Sequence, residues 1–250
     1  MKILVTFAVQ SEFAPWQRRR NFMRLPGEWP VFEAMIGGAR VRAVLTGMGQ
    51  DHALDASKRS LAYKPDICIS TGLAGSLRSG YRPGDILAAR LVSEVGEPVA
   101  VASHRELLST AVDCGARHIE RLATSKFLVA RAEQKRELAS QAEAVDMESY
   151  TVLAEAARCG VPAVAIRAIS DTADFDIPYD FERALDSQGQ IRMLEVVSQV
   201  LRRPSGLPDL LKLARDSRFA ARRLADFLES FAGTMAERLV PIEQDTVAAI

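Results

Sequence analysis

Two apolar runs restrict what this chain can fold into more than any other feature. Residues 66–70, centred on Ile67-Cys68-Ile69, and the run Ala163-Val164-Ala165-Ile166 lack the in-out alternation of a strand with one wet face. They read as interior strands, covered on both sides. Further β-branched runs at 2–8, 31–36, 40–46 and 86–93 read as strands, and residues 162–169 extend the second apolar run. Helical spacing of apolar residues occupies 51–62, 104–114, 131–140 and 147–158. Strands alternating with helices predict an α/β fold with three layers, α/β/α, around a twisted mixed central sheet. Ligands in such sheets collect where strands end at their carboxyl termini, so the residues at those ends matter most.

A chain of 250 residues with 48% hydrophobic content can bury one large core. The helical pattern after residue 178 runs to about Arg203, where Pro204, Ser205, Gly206 and Pro208 interrupt it. Two parts are therefore expected: 1–203, and a C-terminal helical extension over 204–250. Within 207–231, Leu210, Leu211, Ala214, Ala221, Leu224, Phe227, Leu228 and Phe231 can share one face, with Lys212, Arg215, Arg218, Arg222 and Arg223 off it. Lys and Arg total 32 against 32 Asp and Glu, so no net field gathers nucleic acid, and a small-molecule partner is expected. Cys68, Cys114 and Cys159 are far apart and lack zinc-ligand spacing, which fits reduced thiols in a cytoplasmic protein. No metal or cofactor is expected. The apolar start, 3–9, is shorter than a membrane span and is followed by Glu12 rather than a cleavage site, so it reads as a first core strand.

Four strand ends carry unusual residues. Glu12 follows the first strand at the start of a helix, where an acid is also stabilised by the helix dipole. Thr46-Gly47-Met48-Gly49-Gln50 and Thr71-Gly72-Leu73-Ala74-Gly75-Ser76 read as glycine turns that let the backbone approach a ligand closely. Neither continues as a dinucleotide or phosphate-loop motif. Arg167-Ala168-Ile169-Ser170-Asp171 closes an apolar strand and carries an Arg and an Asp to the edge of a dry crevice, where an Arg–Asp ion pair holding a loop is the plain structural alternative. Upstream, Asp146-Met147-Glu148-Ser149 opens a helix, with Asp146 placed to cap it. His52, His104 and His118 are scattered, and Trp16 and Trp29 read as packing residues.

Taken in order, Thr-Gly-Leu-Ala-Gly-Ser at 71–76, Asp-Met-Glu-Ser at 146–149 and Ser-Asp-Thr-Ala-Asp at 170–174 resemble the purine nucleoside phosphorylase and methylthioadenosine/S-adenosylhomocysteine nucleosidase superfamily. The resemblance covers roughly residues 1–200 and makes 1–203 a catalytic domain of that kind. It implies cleavage of the bond between a purine, adenine for preference, and its ribose. Asp171 would protonate or hydrogen-bond purine N7, because a purine anion leaves poorly and a carboxylic acid in a low-dielectric crevice can keep a proton to donate. Glu148 would hold the ribose hydroxyls and stabilise the developing cation, with Met147 packed on the sugar. Phe127 and Leu128 fall where the family stacks on the base and offers backbone hydrogen bonds. Gly49, Gly72, Ala74, Gly75 and Ser170 are expected to line the substrate site.

The nucleophile separates hydrolysis from phosphorolysis. Glu12 matches the acid that activates water in the nucleosidases, and Arg167 the Arg that helps position it. A phosphorylase needs several cationic or hydroxyl donors around a dianion. Here the Pro-Gly-Asp-Pro-x-Arg start is missing, Gln50 stands where many phosphorylases carry a cation, and Ser70 where hexameric ones carry an Arg. Hydrolysis is favoured, with phosphorolysis the alternative, although Leu73 replaces a water-contacting Ser of the nucleosidases. The stretch between Ser93 and His104 lacks an insertion that helps cover the substrate's 5′ end, so an open 5′ pocket is expected. Together with the cationic 207–231 helix this raises a lipid-like 5′ group, as in the adenosylhopane handled by hopanoid-associated members. That helix is expected to pack on the core or a partner subunit, with an anionic membrane surface the less favoured alternative. By resemblance the protein is a homo-oligomer. A non-catalytic nucleoside binder is the remaining alternative, and it predicts damaged carboxylates where Glu12, Glu148 and Asp171 stand intact.

Overall fold

In the computed structural model, residues 1–27, 29–181 and 192–238 are described. The expected helical pattern at 182–191 and the end of the extension, 239–250, lie outside the described residues. The strands are β1 Lys2–Phe7, β2 Met23–Arg24, β3 Val31–Ile36, β4 Ala39–Leu45, β5 Ile67–Ser76, β6 Ile86–Glu94, β7 Ala100–Ala102, β8 Arg117–Thr124, β9 Ala144–Asp146 and β10 Ala163–Asp171. The helices are α1 Gln10–Arg19, α2 Gln50–Leu61, α3 Arg105–Asp113, α4 Ala132–Leu138, α5 Ser149–Arg158, α6 Met193–Arg202 and α7 Leu207–Arg238, the last preceded by a 3-10 turn at Pro204–Gly206.

One mixed sheet runs in the order β10-β6-β8-β9-β5-β1-β4-β3-β2, with β7 on β6. β10 also pairs with β5, so β5, β10, β6, β8 and β9 close into a ring and the remaining strands extend from it as an open leaf. Helices cover both faces, which gives the expected three layers. One face packs Ile3, Val5, Ile67, Ile69, Val164 and Ile166 against α1, α3 and α7. The other packs Leu4, Cys68, Ala163 and Ala165 with residues of α2 and α5, including Ala53, Leu61, Val152 and Leu153. Consecutive residues of β5 and β10 thus enter opposite cores, the physical reason these strands lack alternation.

β5 departs from expectation. It does not end at Thr71 in a turn but runs on to Ser76, its last residues pairing with β10 and then with β9. Four strands were not foreseen: β2, β7 and β9 have two or three residues, and β8 has a charged run, Arg117-His118-Ile119-Glu120-Arg121, that hides its buried Ile119 and Leu122.

Helix α7 belongs to the main core. Ala221, Leu224, Phe227, Leu228 and Phe231 are buried with Phe7, Phe13 and Trp16 of the first βα unit, while Lys212, Arg215, Arg218, Arg222 and Arg223 are exposed. Trp16 is fully buried, as a packing residue, and donates its Nε1–H to Glu229 of α7 at 3.0 Å. Phe231 is 0% exposed, so Phe231→Ala is expected to cost about 3–5 kcal/mol of stability, read from denaturant unfolding. A loss within about 0.5 kcal/mol, the size of a surface effect, would contradict this core assignment.

Candidate active site

β1, β4, β5 and β10 run parallel to one another, through the pairings β4–β1, β1–β5 and β5–β10. Their carboxyl ends therefore meet on one edge, and each delivers a site residue there. Past β1 comes Glu12, past β4 Gly49, along the end of β5 the segment 72–76, and at the tip of β10 Asp171. β9 runs antiparallel to β5, with Val145 opposite Gly75, and brings Met147 and Glu148 to the same place.

These residues surround one cavity of about 640 Å³, within the range of small-molecule sites. Glu12, Leu73, Ala74, Gly75, Met147, Glu148, Ser170 and Asp171 line its floor and Phe127 and Leu128 its wall. Phe127 is 69% exposed, so its ring stands at the mouth. Gly72 and Gly49, expected to line it, are not among the lining residues; their backbone lies against Glu12 and Glu148 instead. His52, His104 and His118 are not among the lining residues. No cluster of potential metal ligands occurs among the described residues.

Each carboxylate is seated on backbone. Glu12 Oε2 accepts N–H groups of Ala8 at 3.0 Å and Val9 at 3.3 Å, while Oε1 accepts that of Leu73 at 2.9 Å. The first two bonds satisfy the plain reading of an acid in the first turn of a helix. The third ties Glu12 across to β5. Gly72, at φ +146°, is required there, because a Cβ would lie 3.0 Å from both carboxylate oxygens. Gly75 makes room in the same way for Asp171, whose Oδ2 would be 3.0 Å from an added Cβ. Gly49 donates its N–H to Glu148 Oε1 at 2.8 Å. The glycines of the two expected turns thus serve the carboxylates.

Arg167 and Asp171 do not pair with each other. Arg167 is 2% exposed. Its Nε and Nη2 donate to Asp146 Oδ2 at 2.8 and 2.5 Å, and Nη2 also to Ser70 Oγ at 3.2 Å. It does not line the cavity. Asp146 caps α5 as expected, accepting the Ser149 N–H at 3.0 Å, and also accepts the Thr124 hydroxyl at 2.7 Å. Asp171 pairs instead with Lys135, at 2.5 Å from Nζ to Oδ2, and its Oδ1 accepts the Ser170 hydroxyl at 2.6 Å.

Burial pushes the Glu12 carboxyl upward, against the lowering effects of the Leu73 N–H and the Arg167 charge. Glu148 is pushed up to about 8, first by burial and then by the negative charge of Asp146, with Arg167 and the Gly49 N–H opposing. Burial and the Asp146 charge therefore both favour the protonated form of Glu148.

Sequence reasoning missed three contributors. Lys135 sits among Arg131, Glu133, Gln134, Arg136 and Glu137, so nothing in its surroundings marks it as buried. Asp146 was read only as a cap. Leu210, Leu211 and Ala214 of α7 were grouped with core residues, yet they line the cavity about two turns before the helix enters the core.

A stability signature follows from Glu148. Its folded pKa lies above its ordinary value of 4.5, so the folded state binds more protons than the unfolded chain between those values. Stability falls as pH rises through that window. The thermal midpoint of the ligand-free protein is expected to drop from about pH 4.5 toward pH 8, and Glu148→Gln to flatten the slope, leaving the part due to Glu12. An unchanged slope in the variant would contradict it.

The Bacillus subtilis 5′-methylthioadenosine/S-adenosylhomocysteine nucleosidase is 27% identical over 192 residues, covering 66% of this chain and 82% of that protein. Among solved structures, the native futalosine hydrolase of Helicobacter pylori superposes with a TM-score of 0.72 at 19% identity, covering 94% of this chain and 98% of that one. The Helicobacter pylori 5′-methylthioadenosine/S-adenosylhomocysteine nucleosidase with butyl-thio-DADMe-Immucillin-A gives a TM-score of 0.73 at 19% identity, with the same coverage. These structural likenesses speak to the fold. The family profile described as the phosphorylase superfamily matches residues 2–203, so this chain belongs to the phosphorylase superfamily.

Proposed function

We propose that the protein hydrolyses the N-ribosidic bond of a purine nucleoside, adenine being the base. The observation that carries this is the convergence of Glu12, Glu148 and Asp171 on one cavity of nucleoside size. In this reading Asp171 serves purine N7 as the bond to N9 breaks, and the electron pair leaves with the base. Glu148 receives the ribose hydroxyls, whose donated hydrogen bonds and the growing positive charge at C1′ both favour its anion. Glu12, strengthened as a base by its burial, takes a proton from the attacking water. Met147 packs on the sugar, and Phe127 and Leu128 flank the base. Arg167 acts through its charge on Glu12 and Glu148 rather than by touching water.

Water is favoured over phosphate by the charge of the walls. Among the described lining residues Glu12, Asp146, Glu148 and Asp171 are acidic, and Arg218 of α7 is the one base. A phosphate dianion beside Glu12 would meet a carboxylate where it needs cationic donors. The related nucleosidases named above support the same choice. The outer wall adds a finer reading. Met48, Ile177, Phe181, Leu210, Leu211 and Leu213 make it apolar, with Phe127 at the mouth. This supports a bulky apolar 5′ substituent, the lipid-like group that the sequence raised, over a charged one.

Adenine release from adenosine, methylthioadenosine, adenosylhomocysteine and a 5′-alkylated adenosine, with and without phosphate, tests the proposal when products are identified by mass. Free ribose sugars in both conditions are expected, with turnover lowered by a factor of about 10² to 10⁴ in Asp171→Asn. Ribose 1-phosphate as product would establish phosphorolysis instead. No base release from any substrate would return the protein to the class of binders.

A further inference from the structure

Helix α4 buries a single residue, and that residue is Lys135, which is 0% exposed. The helix already has an apolar anchor in the partly buried Leu138, which packs against Leu77, Ala123, Ala142 and Val145. Desolvating an ammonium is costly, and a buried ion pair is commonly no more stable than an apolar replacement, so stability does not account for a lysine here. Its three donors are all committed, to Asp171 Oδ2 at 2.5 Å and to the carbonyls of Thr172 and Phe175 at 2.9 Å each. The other charges near it, Asp174 and Lys212, are on exposed side chains. With the Ser170 hydroxyl on Oδ1, Asp171 is held by a donor on each oxygen while it faces the cavity.

This arrangement is at odds with Asp171 acting alone. A carboxylate in an ion pair has no proton to give, yet a departing purine must gain one at N7. Resting on the hydrolytic reading above, we propose that Lys135 and Asp171 together are the acid, sharing the single proton that the leaving base takes up. As the C1′–N9 bond breaks and its electron pair moves onto the base, Asp171 takes the proton of Lys135 on Oδ2 and passes that same proton to N7. Lys135 is left as a neutral amine, buried beside Asp171 and the carbonyls of Thr172 and Phe175. The attacking water meanwhile gives its proton to Glu12, and loss of that proton to solvent balances the one that restores Lys135 once the base departs. Lys135 works through Asp171, so it is a positioning and proton-storing residue rather than one that touches substrate.

The test separates leaving groups that need a proton from those that do not. Lys135→Met removes the ammonium, and Lys135→Gln does so while retaining hydrogen-bond donors to Asp171 and the carbonyls. Both are assayed on the best purine nucleoside and on the 4-nitrophenyl riboside with the same 5′ group, whose nitrophenolate leaves unprotonated. The expected result is a fall in kcat of about 10² to 10³ on the purine nucleoside, with KM changed less than about threefold. On the nitrophenyl riboside both variants should stay within about threefold of the unmodified protein. Equal losses on both substrates would reduce Lys135 to a structural role and overturn the proposal, as would no loss on either. Failure of the unmodified protein to release base from any purine nucleoside would instead overturn the hydrolase reading, and this inference with it.

Discussion

Crowding of like charge is the constraint around which this molecule is organised. Glu12, Asp146, Glu148 and Asp171 border one cavity, each at most 9% exposed. Carboxylates that close in a low-dielectric cleft cannot all ionise without partners. The chain answers with two buried cations, Arg167 on Asp146 and Lys135 on Asp171, and with backbone N–H groups on Glu12 and Glu148. Each pair gives its carboxylate the countercharge that burial would otherwise deny it. Glu12 and Glu148, which lack a direct cation, are the two whose carboxyls burial pushes upward.

The fold supplies the positions at which such crowding can be tolerated. Parallel neighbours bring the ends of β1, β4, β5 and β10 to one edge, and glycine at positions 49, 72 and 75 lets backbone and carboxylates approach closely. Helix α7 joins this edge to the core. Its later turns pack with Phe7, Phe13 and Trp16, and its first turns place Leu210, Leu211 and Ala214 over the cavity. A single element thus stabilises the sheet and shapes the apolar side of the site. No helix among the described residues is long and apolar enough to cross a membrane.

Much of this was legible in the sequence, for physical reasons that differ by element. The two-sided burial of the first halves of β5 and β10 leaves a clear record, since Ile67-Cys68-Ile69 and Ala163–Ile166 face apolar cores on both sides. The glycines and acids at strand ends were visible as unusual residues, and only their order along the chain tied them to one site. Charge pairing was not legible. Arg167 lies four residues from Asp171, a spacing that plain alternation would put on one face, but the register shifts between Ile169 and Asp171 and Arg167 turns to Asp146 instead. Lys135 reaches Asp171 from an expected helix, but nothing among its charged neighbours sets it apart as the buried one. Strand β8 escaped because its exposed Arg117, His118 and Glu120 outweigh its buried Ile119 and Leu122.

The proposed hydrolysis requires three acids far apart in the chain to act on different parts of one bound nucleoside. A crystal structure with a non-cleavable nucleoside analogue tests it most directly. The account predicts the base nitrogen N7 within hydrogen-bond distance of Asp171, the ribose hydroxyls on Glu148, and Glu12 facing C1′ on the side opposite the base. An analogue seated in the cavity with its ribose away from Glu148 and its base away from Asp171 would contradict it.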